Sequence, residues 1–98
     1  MNKWFLVGLL CVNPVYAEYD LCTSIARTAE QIMIGRQSGV LMEVQMKALD
    51  SAEMPEIKNV FSQIIITAYG IPKYESESVK ASTVTEFRNK VYLQCIKP

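Results

Sequence analysis

The sequence predicts an all-α domain: a small up-and-down bundle of about four helices, closed by one disulfide between Cys22 and Cys95 and preceded by a cleaved leader. Three observations carry this prediction. Apolar residues recur at steps of three and four along four successive segments. Residues that stop or start helices separate those segments. The two cysteines left once the leader is removed stand near the two ends of what remains.

The leader comes first. Met1-Asn2-Lys3, the apolar run Trp4 to Val12 and then Asn13-Pro14-Val15-Tyr16-Ala17 have the three-part layout of a secretory signal peptide. Val15 and Ala17 are the short side chains a signal peptidase accepts three places and one place before a cut after Ala17. Pro14 is expected to break the helix of the apolar run. A membrane anchor is the rival, but the nine apolar residues of that run reach only about 14 Å as a helix, against a hydrocarbon core of about 30 Å. A lipoprotein is a second rival, against which Leu10 before Cys11 and Leu21 before Cys22 argue, because that signal needs a small residue before the cysteine. The expected organisation is therefore 1–17 signal peptide and 18–98 a single helical domain, in a bacterial periplasm or outside the cell, with no stable membrane insertion after cleavage.

The first helix of that domain is expected from Asp20, a credible N-cap, to Gly39, a credible stop, with Cys22, Ile25, Ala26, Ala29, Ile32 and Met33 on one face. Gly35 inside it costs about 1 kcal/mol relative to alanine. Close approach of a neighbouring helix explains it more simply than a hinge does. A short second helix is expected from Val40 to Leu49, with Leu41, Val44, Ala48 and Leu49 at helical spacing and Asp50-Ser51 as its break.

Pro55 opens the third helix, where its missing N–H costs nothing, and Ile57, Val60, Phe61, Ile64 and Ala68 form its inward stripe before Gly70 and Pro72 end it. The last helix starts at Ser76-Glu77-Ser78 and runs to about Ile96, with Val79, Thr83, Val84, Phe87, Val91 and Cys95 near helical spacing. Its valines and threonines would suit a strand, but a strand of that length without a turn would be unusual.

Removing residues 1–17 from the 98-residue chain leaves 81, a length at which a lone hydrophobic core is barely sufficient and a staple is expected. In an oxidising compartment Cys22 and Cys95 most simply pair with each other, the alternatives being two free thiols or an intermolecular bridge. The helix count agrees. Four antiparallel helices return the chain to the end where it began, whereas three would hold the cysteines roughly 25 to 30 Å apart, beyond the reach of about 7 Å between Cα atoms.

Composition argues against most chemistry. The chain has no histidine, which removes the commonest general base and most zinc sites. A CxxC pair and a glycine-rich phosphate loop are both missing. Glu30, Glu43 and Glu86 read as solvated carboxylates, so no catalytic, cofactor or metal residue is assigned and the chain is not expected to be an enzyme. Met33, Met42 and Met46 suit core packing better than a Cu(I) site. After cleavage nine Lys and Arg face ten Asp and Glu, a net charge of −1 without a basic stripe, so no nucleic-acid partner is expected.

Two local features stand out: Arg36-Gln37 at the end of the first helix, and Tyr69-Gly70-Ile71-Pro72-Lys73-Tyr74 after the third. Arg36 suits a helix C-terminus, and the tyrosines suit a lid over the core. The same Arg36, Gln37, Tyr69, Pro72 and Tyr74 also suit anchoring of a protein partner, since amphipathic aromatics on a stiff loop are good anchors.

Arg36-Gln37-Ser38-Gly39, Ala68-Tyr69-Gly70-Ile71-Pro72, Phe87 and Tyr92-Leu93-Gln94-Cys95, with Cys22 in front, resemble a group of small uncharacterised secreted or periplasmic proteins of proteobacteria and their phages or prophages. The resemblance covers most of the chain after the leader. It implies an envelope address, of phage or host origin, and nothing catalytic. The expected function is a non-enzymatic envelope protein-interaction module. The alternative is a periplasmic acid-stress chaperone of the small, disulfide-linked helical type, whose acid transition would fall near the ordinary carboxylate range of about pH 4.

Overall fold

The computed structural model describes residues 2–51 and 55–97, with side chains described from Tyr19 onward. Four helices make it up: α1 (Asn2–Gln37), α2 (Met42–Leu49), α3 (Pro55–Tyr69) and α4 (Glu77–Ile96). No strand occurs among the described residues. None of the described helices is long and apolar enough to cross a membrane.

Helix α1 corrects one expectation. It runs unbroken from Asn2 through Pro14 and Asp20 to Gln37, so Pro14 does not break it and Asp20 is an interior position rather than an N-cap. A proline removes one backbone bond and strains the turn before it, at a cost of about 3 kcal/mol. The helix nevertheless continues past Pro14. With a cut after Ala17, Asp20 would fall in the first turn of the remaining helix, where acidic charge is favoured.

The C-terminus of α1 is closed as its sequence predicts. Gly39 has φ +91°, its N–H donates to the Arg36 carbonyl at 3.2 Å, and the N–H of Val40 donates to the Gly35 carbonyl at 2.9 Å. This pair of bonds is a Schellman closure, which requires a left-handed residue and therefore favours glycine. From across the bundle, Lys80 Nζ donates to the Gln37 carbonyl at 3.0 Å. A cation thereby meets the negative end of the helix dipole.

Helices α1 and α4 form the principal packed pair and run antiparallel. Cys22 is bonded to Cys95, with Cα atoms 5.5 Å apart. Two turns further along α1, Glu30 Oε1 accepts from Arg88 Nη1 at 2.8 Å, and two turns further again Gln37 receives Lys80. The three ties step up one helix as they step down the other. Ser76 starts α4, its Oγ accepting from the N–H of Val79 at 3.3 Å, a side-chain cap of the kind worth about 1 kcal/mol.

Helix α3 runs parallel to α1. Its end brings Tyr69 beside Arg36, and its middle brings Val60 and Ile64 beside Ile25. Between them α2 carries the chain back, so the four helices make three reversals and the chain returns to the pole where it began, where the cystine closes. The core is built from Ala29, Ile32 and Met33 of α1, Ile64, Ile65 and Ala68 of α3, and Phe87 of α4. Alanines at two of these positions, Ala29 and Ala68, and at the buried Ala26 of α1 leave little side chain between neighbouring helices.

The face of α2 is a second correction. Leu41 and Val44, at 64% and 52% exposure, point outward, and Ala48 is exposed as well. The inward face is Met42, Met46 and Leu49, with Gln45 between them. Both sets are spaced as a helical stripe, and a tertiary hydrogen bond from the polar Gln45 decides which one turns in. On α3 the expected inward Val60 is exposed and Ile65 is buried in its place, while on α4 Val79 is exposed.

Candidate functional site

The structure brings the two distinctive sequence segments together at one end of the bundle. Arg36 Nε donates to the Ile71 carbonyl at 3.0 Å. The guanidinium carbon of Arg36 lies 5.2 Å from the centre of the Tyr69 ring, a cation–π contact. Arg36 thus reaches a loop carbonyl rather than the last carbonyls of its own helix.

Gln37 is the support of this corner. It is only 3% exposed, and both ends of its amide are used. Nε2 donates to the Pro72 carbonyl at 2.8 Å and to Met33 Sδ at 3.6 Å, and Oε1 accepts from the N–H of Tyr74 at 2.9 Å. One side chain thus fixes the backbone on both sides of Lys73. Among the five candidate residues, Gln37 therefore lies beneath the surface and holds it in place. Pro72 is exposed, and Arg36, Tyr69 and Tyr74 are partly exposed.

Gln45 joins a second strip of chain to the same corner. Its Nε2 donates to the Ile32 carbonyl at 3.0 Å and to the Tyr69 hydroxyl at 2.7 Å, and that hydroxyl donates to the Val40 carbonyl at 2.6 Å. Tyr69 consequently bridges the 69–74 loop to the turn that leads into α2. This turn contributes Val40 and Leu41, and the first turn of α2 adds Val44, all exposed. Sequence reasoning missed these three as surface residues. Their helical spacing, shared with the inward residues of α2, gave no sign of which set faced out.

The corner therefore presents exposed aliphatic side chains beside a partly exposed arginine, two tyrosines and a proline, on backbone fixed by Gln37 and Gln45. Exposed apolar groups next to aromatics and arginine are the composition of interface cores rather than of ordinary surface. The corner contains no nucleophile with an adjacent base. The sulfur of Met33 is buried in the core and accepts from Gln37, and Met42 and Met46 pack against the core from α2, so the three methionines act as filling.

No protein-family model, no curated protein and no solved structure matches the chain.

Proposed function

We propose that this chain is a non-enzymatic interaction module of the bacterial envelope, periplasmic or secreted, which holds a protein partner at the corner formed by Arg36, Tyr69, Pro72 and Tyr74 together with Val40, Leu41 and Val44. The observation that carries the reading is the juxtaposition itself. Two segments more than thirty positions apart in sequence are pinned together by Gln37 and Gln45, and the surface they support is apolar and aromatic. A cystine suits an oxidising compartment, which agrees with the signal-like leader.

The partner of such a surface is a protein with an apolar patch rather than a nucleic acid, since the corner carries few positive charges. Capture from periplasmic extract tests this. Leu41→Asp and Lys73→Glu, both at exposed positions, should release the partner without lowering the melting temperature. Arg36→Ala and Tyr74→Ala should weaken capture as well. A partner list unchanged across all four variants would remove the corner from consideration. Within the described geometry no feature favours the chaperone reading over this one.

A further inference from the structure

Away from the corner, a groove of about 470 Å³ runs between α3 and α4 over Ile25 of α1. We infer that it binds a single-chain fatty carboxylate, with the tail lying along the groove and the carboxylate at Lys90. Its volume is within the range of about 300–1,000 Å³ typical of small-molecule sites, which are mostly apolar with a few placed polar groups. The lining has that character: Val60, Ile64, Phe87 and Val91 form the apolar walls and floor, and Gln63, Thr67 and Gln94 stand at exposed rim positions.

Charge selects the head group. Lys90 is the one charged residue on the lining, and among the described residues it makes no ion pair. A second cleft, between α2 and α3, differs in this respect, because Glu43, Asp50, Lys47 and Lys58 give its lining both signs. The groove between α3 and α4 is thus complementary to one negative charge attached to an apolar body.

Length sets the tail. Val60 is the exposed apolar side chain of the lining and Ile25 and Val91 are partly exposed, while Ile64 and Phe87 beneath them are only 8% and 3% exposed. The walls from Val60 to Thr67 and from Phe87 to Cys95 are each about 11 Å long at 1.5 Å per residue, enough for roughly ten carbons in extended form. Val60, expected from the sequence to face the core, is exposed because it stands at this groove.

Titration of the oxidised protein with decanoate, using decanol as the neutral comparison, tests the assignment. Decanoate should bind one to one and more tightly than decanol. Affinity should rise about fourfold for each methylene added between octanoate and decanoate. Lys90→Gln should weaken decanoate about tenfold and leave decanol unchanged. Val60→Trp, at a position already exposed, should fill the groove and abolish binding of both while the fold stays intact by circular dichroism. The corner variants should bind decanoate as the parent does, so this inference and the corner assignment fail separately. Equal affinity for decanoate and decanol, indifference to Lys90→Gln, or binding retained in Val60→Trp would each overturn it. So would occupation of the groove by an acidic amphipathic peptide with no binding of decanoate.

Discussion

The side-chain amide of Gln45 lies directly over Gly35, so that a methyl group on Gly35 would stand 2.6 Å from Gln45 Nε2. The glycine in the middle of α1 is thereby explained. It admits a side chain from α2 to the Ile32 carbonyl and is not a hinge. The atom in the way is the far end of a flexible side chain, so Gly35→Ala should displace Gln45 rather than break the helix. The gain of about 1 kcal/mol in helix propensity is then offset by loss of the two Gln45 bonds, each worth about 1 kcal/mol. In the Gln45→Ala background that loss is already taken, and Gly35→Ala should stabilise by about 1 kcal/mol. A double-mutant cycle in urea measures both, and hydrogen exchange in Gly35→Ala should show α2 losing protection while α1 and α4 keep theirs.

The cystine spans 73 positions, for which the chain-entropy model gives about 4 kcal/mol. Reduction, or Cys22→Ser with Cys95→Ser, should lower the unfolding free energy by about that amount. The oxidised protein should weigh two hydrogens less than the reduced one. A melting temperature unchanged by reductant would show that packing between α1 and α4 holds the ends without the bond.

Gln37→Ala should cost about 3 kcal/mol, because it strands the Tyr74 N–H and the Pro72 carbonyl and opens space beside Met33. Gln37→Met restores most of the volume without the bonds and should still cost about 2 kcal/mol. In both variants the amide of Tyr74 should exchange faster with solvent than in the parent, while amides near Cys22 and Cys95 are unaffected. Equal exchange at Tyr74 in parent and variants would show that Gln37 does not hold the loop.

The Glu30–Arg88 pair is about one third exposed on each side, and solvent screens it accordingly. A double-mutant cycle with Glu30→Gln and Arg88→Met should return a coupling of about 1 kcal/mol, falling at high salt. The exposed Glu43–Lys47 pair at 3.9 Å should return about 0.3 kcal/mol or less by the same measurement.

Most of the architecture could be read from the sequence because it is written in local chemistry. Gly39, Pro55 and Ser76 mark helix ends through steric and capping preferences that act within a few residues, and Cys22 with Cys95 adds one long-range constraint that fixes the parity of the chain. The inward face of α2 could not be read in this way. Over eight residues Leu41, Val44 and Ala48 satisfy helical spacing as well as Met42, Met46 and Leu49 do, and Gln45 settles the matter through partners 13 and 24 positions away. The continuity of α1 through Pro14 was hidden for a different reason, since a proline penalises a helix without forbidding it. At the candidate site Arg36, Gln37 and the tyrosines stand out by composition. That Gln37 lies beneath the others was beyond reach, because a lone glutamine carries no periodic signal of burial.

The antiparallel pairing of α1 with α4 also fixes how the molecule can be held. Cys22 and Cys95 lie together at one pole, and the Arg36–Tyr69 corner is fourteen residues further along α1, about 21 Å away. A resin, a fused domain or a cell surface joined near either cysteine would stand at the same pole. In every such attachment the corner lies at the opposite pole, facing away from the support.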